Sequence, residues 1–429
     1  MRRGLCPGIA EPIQTGDGLL ARLTPGAAIP VHAFIALCEA SERDGNGIVE
    51  ITQRGSVQIR GLTPSSASDF ARTVESLGLG DENRPALLSP PLAGIDATAT
   101  VDVRPLLEEL RLALSNRPDS AALGPKVSVV VDSDGELHLD ALPADIRLRM
   151  ASTDEVHIAI GGNAHESIAL GWIAPNQVLA MVDELLARIT ARGRDARARN
   201  LTSGSDIADL KARFGHRAAP IARPPIEPIG LHHLKGGVVA LGMSPAFGHT
   251  TAATLQRTIR TAEKLGATQV RPAPGRALLF IELSLTAAHE LAAIADTEGF
   301  IVAPNDSRRH VFACAGSPAC GSATFSTRDL APAIAKAAHA WLDRSTTVHL
   351  SGCGKGCAHP GAASLTLAGP DRLILNGRAG DESNATLPPR ALIAGLERLG
   401  AELSHTQSSL SKLGTARVIE CLTGVTRHA

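Results

Sequence analysis

The chain has 429 residues, of which 44% are hydrophobic, so it is long enough for two to four domains with sizeable apolar cores. Its 42 Lys and Arg nearly balance 43 Asp and Glu, and a net charge of -1 argues against recruitment of nucleic acid or an anionic membrane by a whole-molecule field. Aromatic residues make up 2% and Tyr is absent, so platforms that stack the bases of single strands are not expected either.

The sequence contains no recognisable segment that would insert into a membrane or direct export. No segment approaches the roughly 18 consecutive apolar residues that a membrane helix needs, and the residues after Met1 do not resemble an export signal. We therefore predict a cytoplasmic protein. Four of its seven cysteines lie between Cys314 and Cys357, and such a cluster in a cytosolic chain favours a metal centre over disulfides.

Five predicted elements follow one another in the first 80 residues. They are a strand Gly18–Leu23, a helix Pro30–Glu42, a strand Ile48–Thr52, a strand Val57–Ile59 and a helix Ser66–Leu77. An Arg54-Gly55 turn joins the last two strands. This order is typical of an α+β unit with helices on one face of an antiparallel sheet.

The same order recurs later in the chain. The second set is a strand Gly237–Leu241, a helix Thr251–Lys264, strands Gln269–Arg271 and Leu278–Leu283, and a helix Ala287–Thr297. In its turn, Arg276 matches Arg54 at a distance of 222 residues. The recurrence predicts a duplication, and the alternative is a chance repeat of a common order.

Two further stretches share a pattern of their own. The first has a helix at 105–114, strands at 126–131, 136–139 and 156–160, and a helix at 175–192. The second has a helix at 331–342, strands at 347–350, 364–367 and 373–375, and a helix at 389–399. We therefore predict an α+β chain of A-B-A′-B′ type with pseudo-twofold symmetry: A at 1–80, B with the linker at 81–225, A′ at 226–300 and B′ at 301–429. The stretch rich in Arg, Ser, Gly and Pro from Arg194 to about Pro228 is the predicted linker.

The cysteine spacing favours an iron–sulfur cluster. Five residues separate Cys314 from Cys320 and three separate Cys353 from Cys357, whereas zinc knuckles and redox dithiols usually have shorter gaps. Four thiolates on two separate loops suit a cubane cluster, and the interleaved glycines allow the backbone to approach its sulfides. Structural zinc and unliganded core thiols are the alternatives.

The motif also carries a family resemblance. Cys-x5-Cys followed by Gly-Cys-x3-Cys resembles the sulfite and nitrite reductase superfamily, and within it the chain is most similar to the precorrin-3B synthase family. The matching segments are Arg3–Gly8, Thr15–Leu19, Ile51–Gly61 and Leu350–Pro360. The resemblance covers nearly the whole chain and implies ferredoxin-like A and A′ halves and reductase-like B lobes.

The resemblance implies roles for particular residues. The four ligands of a 4Fe-4S cluster are Cys314, Cys320, Cys353 and Cys357. The segment that lines the tetrapyrrole pocket contains Thr52, Arg54, Gln58 and Arg60. Lys126 matches one of the basic residues that hold a small anion in the reductases, but Ser128 stands where a second Lys would be. The Asn-x-Arg-Asn segment of the reductases is not recognisable before Arg104, so anion reduction is not favoured.

Arginine chemistry gives a separate reason to expect a tetrapyrrole. A precorrin carries many carboxylates, which the planar guanidinium binds through two parallel hydrogen bonds. Besides Arg54 and Arg60, the candidates are Arg271, Arg276 and Lys355. The alternation of Arg54, Gln58 and Arg60 places these side chains on one strand face if the strand is regular. A solvated or ion-paired surface residue is the ordinary alternative for each.

Other candidates carry weaker signals. The family resemblance implies a mononuclear non-haem iron as well, for which His232, His233, His249 and His359 are possible ligands. The turn at residues 132–135 holds two Asp and occupies in B the place of the second Cys loop in B′, although a plain turn explains it equally. Buried structural thiols are expected at Cys6, Cys38 and Cys421.

The expected activity, implied by the resemblance, is oxygen-dependent hydroxylation of precorrin-3A at C20 with formation of a γ-lactone in cobalamin biosynthesis. The sequence has no G-x-G-x-x-G strand–turn–helix, so we expect electrons from an external NADH-linked donor. The alternatives are a sirohaem-dependent sulfite or nitrite reductase and a non-catalytic, zinc-stabilised binding protein.

Overall fold

The computed structural model describes residues 7–26, 28–80, 85–117, 122–201, 204–214, 217–343 and 345–425. Cys6 and most of the segment Arg3–Gly8 lie outside them. Within these ranges the strands form four main sheets, and helices cover each sheet. No helix there combines the length and the apolar character needed to cross a bilayer.

The first unit follows the predicted order closely. Its elements are β1 (Ile13–Thr15), β2 (Gly18–Leu23), β3 (Ile29–Pro30), α1 (Val31–Asp44), β4 (Ile48–Ile51), β5 (Val57–Leu62) and α2 (Pro64–Ser76). Helix α2 begins with a capping box in which the Thr63 and Ser66 side chains bond to each other's backbone N–H groups.

Lobe B comes next and corrects two predictions. Its elements are β6 (Ala86–Leu88), α3 (Arg104–Ser115), β7 (Ser128–Asp132), β8 (Ile146–Met150), β9 (Val156–Ile160), β10 (Ile168–Ile173), α4 (Val178–Thr190) and α5 (Gly204–Ala212). The predicted strand at 136–139 is wrong, since these residues form turns that bury Leu137 and Leu139. The linker is shorter than predicted, because Leu201 and Leu210 pack into the core of this lobe.

The second ferredoxin-like unit repeats the first. Its elements are β11 (Gly230–His233), β12 (Val239–Pro245), β13 (His249–Thr251), α6 (Ala252–Lys264), β14 (Gln269–Ala273), β15 (Ala277–Leu283), α7 (Leu285–Thr297) and β16 (Phe300–Ile301). The N-cap residues of α6 and α7 are Thr251 and Ser284. Their hydroxyls accept hydrogen bonds from backbone N–H groups three residues later.

Lobe B′ completes the described chain. Its elements are β17 (Val311–Ala313), α8 (Thr327–Ala338), β18 (Val348–Ser351), β19 (Ala363–Ala368), β20 (Arg372–Gly377), β21 (Ala385–Thr386), α9 (Ala391–Thr406) and α10 (Thr415–Thr423). In both lobes three parallel strands are followed by antiparallel ones, in the orders β6-β7-β8-β9-β10 and β17-β18-β19-β20-β21. The identical topology confirms the α+β duplicated architecture.

The two ferredoxin-like units exchange edge strands. Strand β13 of the second unit pairs with β4 of the first, and β3 of the first pairs with β14 of the second. Helix α1 packs on α6, and one hydrophobic core contains residues from both units. The two units therefore fold as one body, and the exact boundaries at 80, 225 and 300 stay a prediction.

Strand register corrects the match between Arg54 and Arg276. Gln58 pairs with Arg22, and Leu279 pairs with Gly242, so equivalent positions in these strands are 221 residues apart, as from Gln58 to Leu279. Arg276 therefore corresponds to Gly55, and both have positive φ, 64° and 80°. The structural counterpart of Arg54 is Gly275.

Candidate metal centre and adjoining pocket

The four predicted cluster ligands lie on two neighbouring loops. Strands β17 and β18 are parallel neighbours, so the chain leaves both at the same edge of the sheet. Cys314 directly follows β17, and Cys353 comes two residues after the end of β18. The Gly352 N–H points to Cys314 Sγ at 3.2 Å, and the Thr324 N–H donates to the Gly352 carbonyl at 2.9 Å. These contacts bind the loops to each other.

The thiol environment suits a cluster better than zinc. Partial burial of its thiol, together with the neighbouring thiols of Cys314, Cys353 and Cys320, raises the pKa of Cys357, although the residue as a whole is exposed. The four sulfur atoms therefore lie in one region. No three of the four sulfur atoms lie within 4.8 Å of one another. Within the described residues, only Asp132, His138 and Asp140 place three possible ligand atoms that close together. A tetrahedral zinc site with Zn–S bonds of about 2.3 Å needs sulfurs about 3.8 Å apart. The wider spacing fits the larger cubane group.

Glycines at these loops meet a steric need. Gly316 has φ 67° and lies against the Thr327 backbone, and a Cβ at Gly352 would lie 2.5 Å from that of Ala323. Larger residues would push the two loops apart.

Two of the predicted pocket residues, Gln58 and Arg60, lie on the face of the first sheet that meets the loop of Cys320. Arg60 donates to both carboxylate oxygens of Asp17 and to the Ala319 carbonyl at 2.8 Å. In the orientation that satisfies its amide, Gln58 donates to Glu50 at 2.8 Å and accepts from the Arg22 guanidinium. Arg60 and Gln58 are 3% and 8% exposed, so this face is polar and buried.

Arg276 contacts the residue that follows the second Cys loop, and Lys355 belongs to that loop. Arg276 donates to the Ala358 and Phe247 carbonyls at 3.1 and 3.2 Å and lies 5.9 Å from the Phe312 ring. Burial lowers its pKa, and its Nε has no hydrogen-bond partner. Lys355 is exposed and donates to the Ser322 hydroxyl at 3.0 Å, which links the two Cys loops.

Arg54 and Arg271 line one cavity of about 310 Å³, which lies between lobe B and strand β14 of the second ferredoxin-like unit. Arg104 and Arg111 of α3 line it too, although neither was predicted as a pocket residue. Most of the remaining wall consists of Leu and Pro side chains, and the carboxylate there is that of Glu108. Arg271 donates to the Pro91 carbonyl at 2.7 Å, burial lowers its pKa, and its Nε is buried without a partner.

The remaining pocket predictions fall outside that cavity. Lys126 is exposed just before β7 and does not line it. The Thr52 hydroxyl accepts the Ser56 N–H at 2.9 Å, so it closes the β4–β5 turn.

The turn at residues 132–135 belongs to a buried ionic cluster. Asp132, His138 and Asp140 form the one metal-like group among the described residues, but the Arg223 guanidinium donates to both carboxylates at 2.7 Å. His138 uses both ring nitrogens, on the Pro224 carbonyl and the Asp140 N–H. Asp134 accepts from the Thr100 and Val101 N–H groups. This chemistry is that of a filled structural cluster, and it leaves no open ligand position for a metal.

The predicted iron-binding histidines are not gathered into one set of metal ligands within the described residues. Both ring nitrogens of His232 are used, by Glu136 and the Pro228 carbonyl, and His233 is exposed. Burial lowers the pKa of His249 to about 4, and His359 bonds to the Ala362 carbonyl. These residues do not fit a mononuclear iron as the chain arranges them, and we derive no step through such an ion. Cys38 and Cys421 are buried as predicted.

Comparison with known proteins first defines the class. The scan against models of protein families finds no match. The structure of the NirA protein of Mycobacterium tuberculosis aligns with a TM-score of 0.70 over 92% of this chain and 82% of that one, at 18% identity. A ferredoxin–nitrite reductase of Leptolyngbya laminosa is 25% identical over 84% of this chain and 78% of that protein. A ferredoxin-type sulfite reductase of Mycolicibacterium paratuberculosis is 23% identical over 80% and 68%. Fold and relatives define an enzyme of the sulfite and nitrite reductase superfamily.

The particular family follows from a stronger match. A precorrin-3B synthase of Sinorhizobium is 37% identical over 432 residues, which cover 97% of this chain and 94% of that protein. The chain belongs to the precorrin-3B synthase family.

Proposed function

We propose that this chain is an oxygen-dependent monooxygenase that converts precorrin-3A by hydroxylation at C20 with formation of a γ-lactone. The observation that carries the proposal is the 37% identity to a precorrin-3B synthase across 97% of the chain. One atom of O2 enters the substrate and the other leaves as water, which takes two electrons from outside the chain. An NADH-linked donor protein supplies them.

The proposed electron carrier is a 4Fe-4S cluster held by Cys314, Cys320, Cys353 and Cys357. When bound, the cluster accepts and passes on single electrons. The chain's own contribution is the fixed spacing of two loops and a half-buried setting in which Cys357 alone of the four is exposed. Cys357, two residues after the exposed Lys355, would be the ligand nearest to solvent and so to an external electron donor.

The substrate carboxylates are proposed to bind in the cavity of Arg54, Arg104, Arg111 and Arg271. Four guanidinium groups line the cavity, and they outnumber the carboxylates of Glu108 and of Asp102, which pairs with Arg104 at 2.7 Å, so the cavity is cationic. Its Leu and Pro side chains suit the apolar parts of a macrocycle. Arg271 adds its charge at a fixed position, because it donates to the Pro91 carbonyl at 2.7 Å.

The test begins with protein purified without oxygen. We expect iron and sulfide, the broad absorption of a cluster and no sharp haem bands. Precorrin-3A is then supplied with ¹⁸O2 and a chemical reductant, and the product should gain one labelled oxygen atom. Cys353→Ser is the matched variant and should form no product. Sharp haem bands with turnover of sulfite or nitrite would favour a sirohaem-dependent reductase. Zinc without iron would contradict the proposal that the chain is an enzyme of this kind.

A further inference from the structure

Arg60 lies on β5, and its guanidinium is held between the first sheet and the loop of Cys320. Its Nε and Nη2 donate to the two Asp17 oxygens at 3.0 and 2.8 Å, and Nη2 also donates to the Ala319 carbonyl at 2.8 Å. The side chain is 4% exposed. These bonds tie the residue immediately before a predicted cluster ligand to the sheet, and they use the donors that a substrate carboxylate would need.

The seat for this loop is built from more than one contact. The Gly16 N–H donates to the same Ala319 carbonyl at 3.1 Å, and a Cβ at Gly16 would lie 2.6 Å from the Pro318 oxygen. Asp17 is held in turn by the Thr15 hydroxyl at 2.8 Å and the Asn46 amide at 3.0 Å. The carboxylate therefore has a fixed position whether or not a ligand is bound.

Four charges form a chain across the interface. Arg328 of α8 pairs with Glu50, Glu50 lies 3.5 Å from Arg60, and Arg60 pairs with Asp17. Further positive charge lies beside them, because Gln58 bonds to the Arg22 guanidinium as well as to Glu50, and charges in such a buried setting interact strongly. Loss of one charge changes the net charge beside the loop of Cys320, and the potential of a cluster responds to nearby net charge.

We propose that Arg60 and Asp17 form a positioning pair that seats the loop of Cys320 and holds the reduction potential of the cluster, and that Arg60 is not a substrate contact. The inference rests on the proposed function, because the potential requires a cluster on the four cysteines. The seating of the loop does not require one.

The experiment measures the midpoint potential of the cluster in anaerobic protein with single-charge variants. Arg60→Gln removes one positive charge and should shift the potential to more negative values. Asp17→Asn removes one negative charge and should shift it to more positive values. The control is Arg197→Gln in lobe B, which should leave the potential unchanged. Arg197 also donates through two nitrogens to both oxygens of a carboxylate, that of Asp145, at 2.7 to 3.0 Å.

A second readout does not depend on the cluster. Hydrogen exchange of the Cys320 and Ala323 amides, which bond to the Gly316 and Cys320 carbonyls, should become faster in Arg60→Gln and Asp17→Asn and stay unchanged in Arg197→Gln, with or without iron. Shifts of the same sign in both variants, or unchanged exchange in this loop, would overturn the inference. So would a variant Arg60→Gln that keeps the wild-type potential but binds precorrin-3A more weakly. Wild-type protein without a cluster would defeat the proposed function, and the exchange experiment would still decide the seating.

Discussion

The inner faces of the two ferredoxin-like sheets carry different chemistry at equivalent positions. Gln58 and Arg60 on the first sheet correspond to Leu279 and Ile281 on the second. The first pair faces the Cys-bearing loops, whereas the second pair packs with Leu92 of lobe B in an apolar cluster. One backbone arrangement thus serves as a polar seat in one half and as a hydrophobic core in the other. The buried polar residues lie on the sheet face that meets the proposed metal centre.

The two lobes differ in the same way. The loop after β18 carries Cys353 and Cys357, whereas the equivalent loop after β7 is closed by Arg223 bound between Asp132 and Asp140. The ionic cluster therefore fills in lobe B the place that corresponds to the proposed metal centre of lobe B′.

Removal of one thiol should have the largest effect. Cys353→Ser should abolish the cluster, because a cubane loses one of its four ligands and the two loops lose their common bond. Iron and sulfide analysis measures the outcome. Cys38→Ala is the matched control, since Cys38 is buried in the core of the ferredoxin-like units. Equal iron in Cys353→Ser and wild type would break the comparison between the lobes.

Transfer of the polar residue to the apolar face should be the next largest effect. Ile281→Arg places a charge in an apolar cluster and should lower the free energy of unfolding by about 3–5 kcal/mol. Ile281→Val removes one methylene and should cost about 1 kcal/mol. Urea unfolding measures both. If Ile281→Arg were as stable as wild type, this face of the second ferredoxin-like sheet would tolerate a charge. Its apolar side chains would then not be needed for stability.

Loss of a cavity arginine should weaken substrate binding. Arg54→Ala and Arg271→Ala each remove a charged hydrogen-bond donor and should raise the Kd for precorrin-3A about 10- to 100-fold, as expected for bonds worth about 1.5–3 kcal/mol. Fluorescence or absorbance titration measures the Kd. Arg72→Ala on the exposed face of α2 is the control and should leave it unchanged. Unchanged binding in both cavity variants would place the substrate elsewhere.

Acid should test the ionic cluster of lobe B. Burial opposes the charge of Asp140, but the bonds from Arg223 outweigh it and lower the pKa of Asp140 to about 2. A folded-state pKa below the usual 3.8 gives stability that is complete above that value and is lost as the pH falls towards 2. The loss should amount to about 2 kcal/mol. Unfolding at pH 5 and pH 2.5 should show a smaller difference in Asp140→Asn than in wild type, and an equal difference would contradict the pKa.

Much of this fold could be predicted because its pattern is local. Helices such as α6 have a capping residue and an apolar stripe, and the paired strands of each unit lie close in the sequence. Strand β8 was missed because Arg147 and Arg149 interrupt its apolar run, although Arg147 is buried and bonds to the Leu139 and Leu142 carbonyls. A strand was wrongly predicted at 136–139 because its apolar residues alternate with polar ones. These apolar residues are buried, but the backbone that carries them forms turns.

The sequence predicted which four thiols the fold brings to one region, but it did not predict the residues around them. The four thiols follow from spacing and resemblance, whereas the partner of Arg60 is 43 residues away and the Ala319 carbonyl 259 residues away. No local pattern in the sequence encodes such contacts. Arg104 and Arg111 reach the cavity because α3 packs beside the second sheet, which is a fact of tertiary structure.

The reciprocal exchange of β3 and β13 has a consequence for cutting the chain. A break in the linker near residue 219 would separate two fragments, each lacking the edge strand that the other supplies. Neither fragment would complete its own sheet, and α1 and α6 would each expose the face that they bury against one another. Co-produced fragments should therefore reassemble into one molecule, so that the duplicated chain behaves as a strand-exchanged dimer whose two protomers happen to be covalently joined.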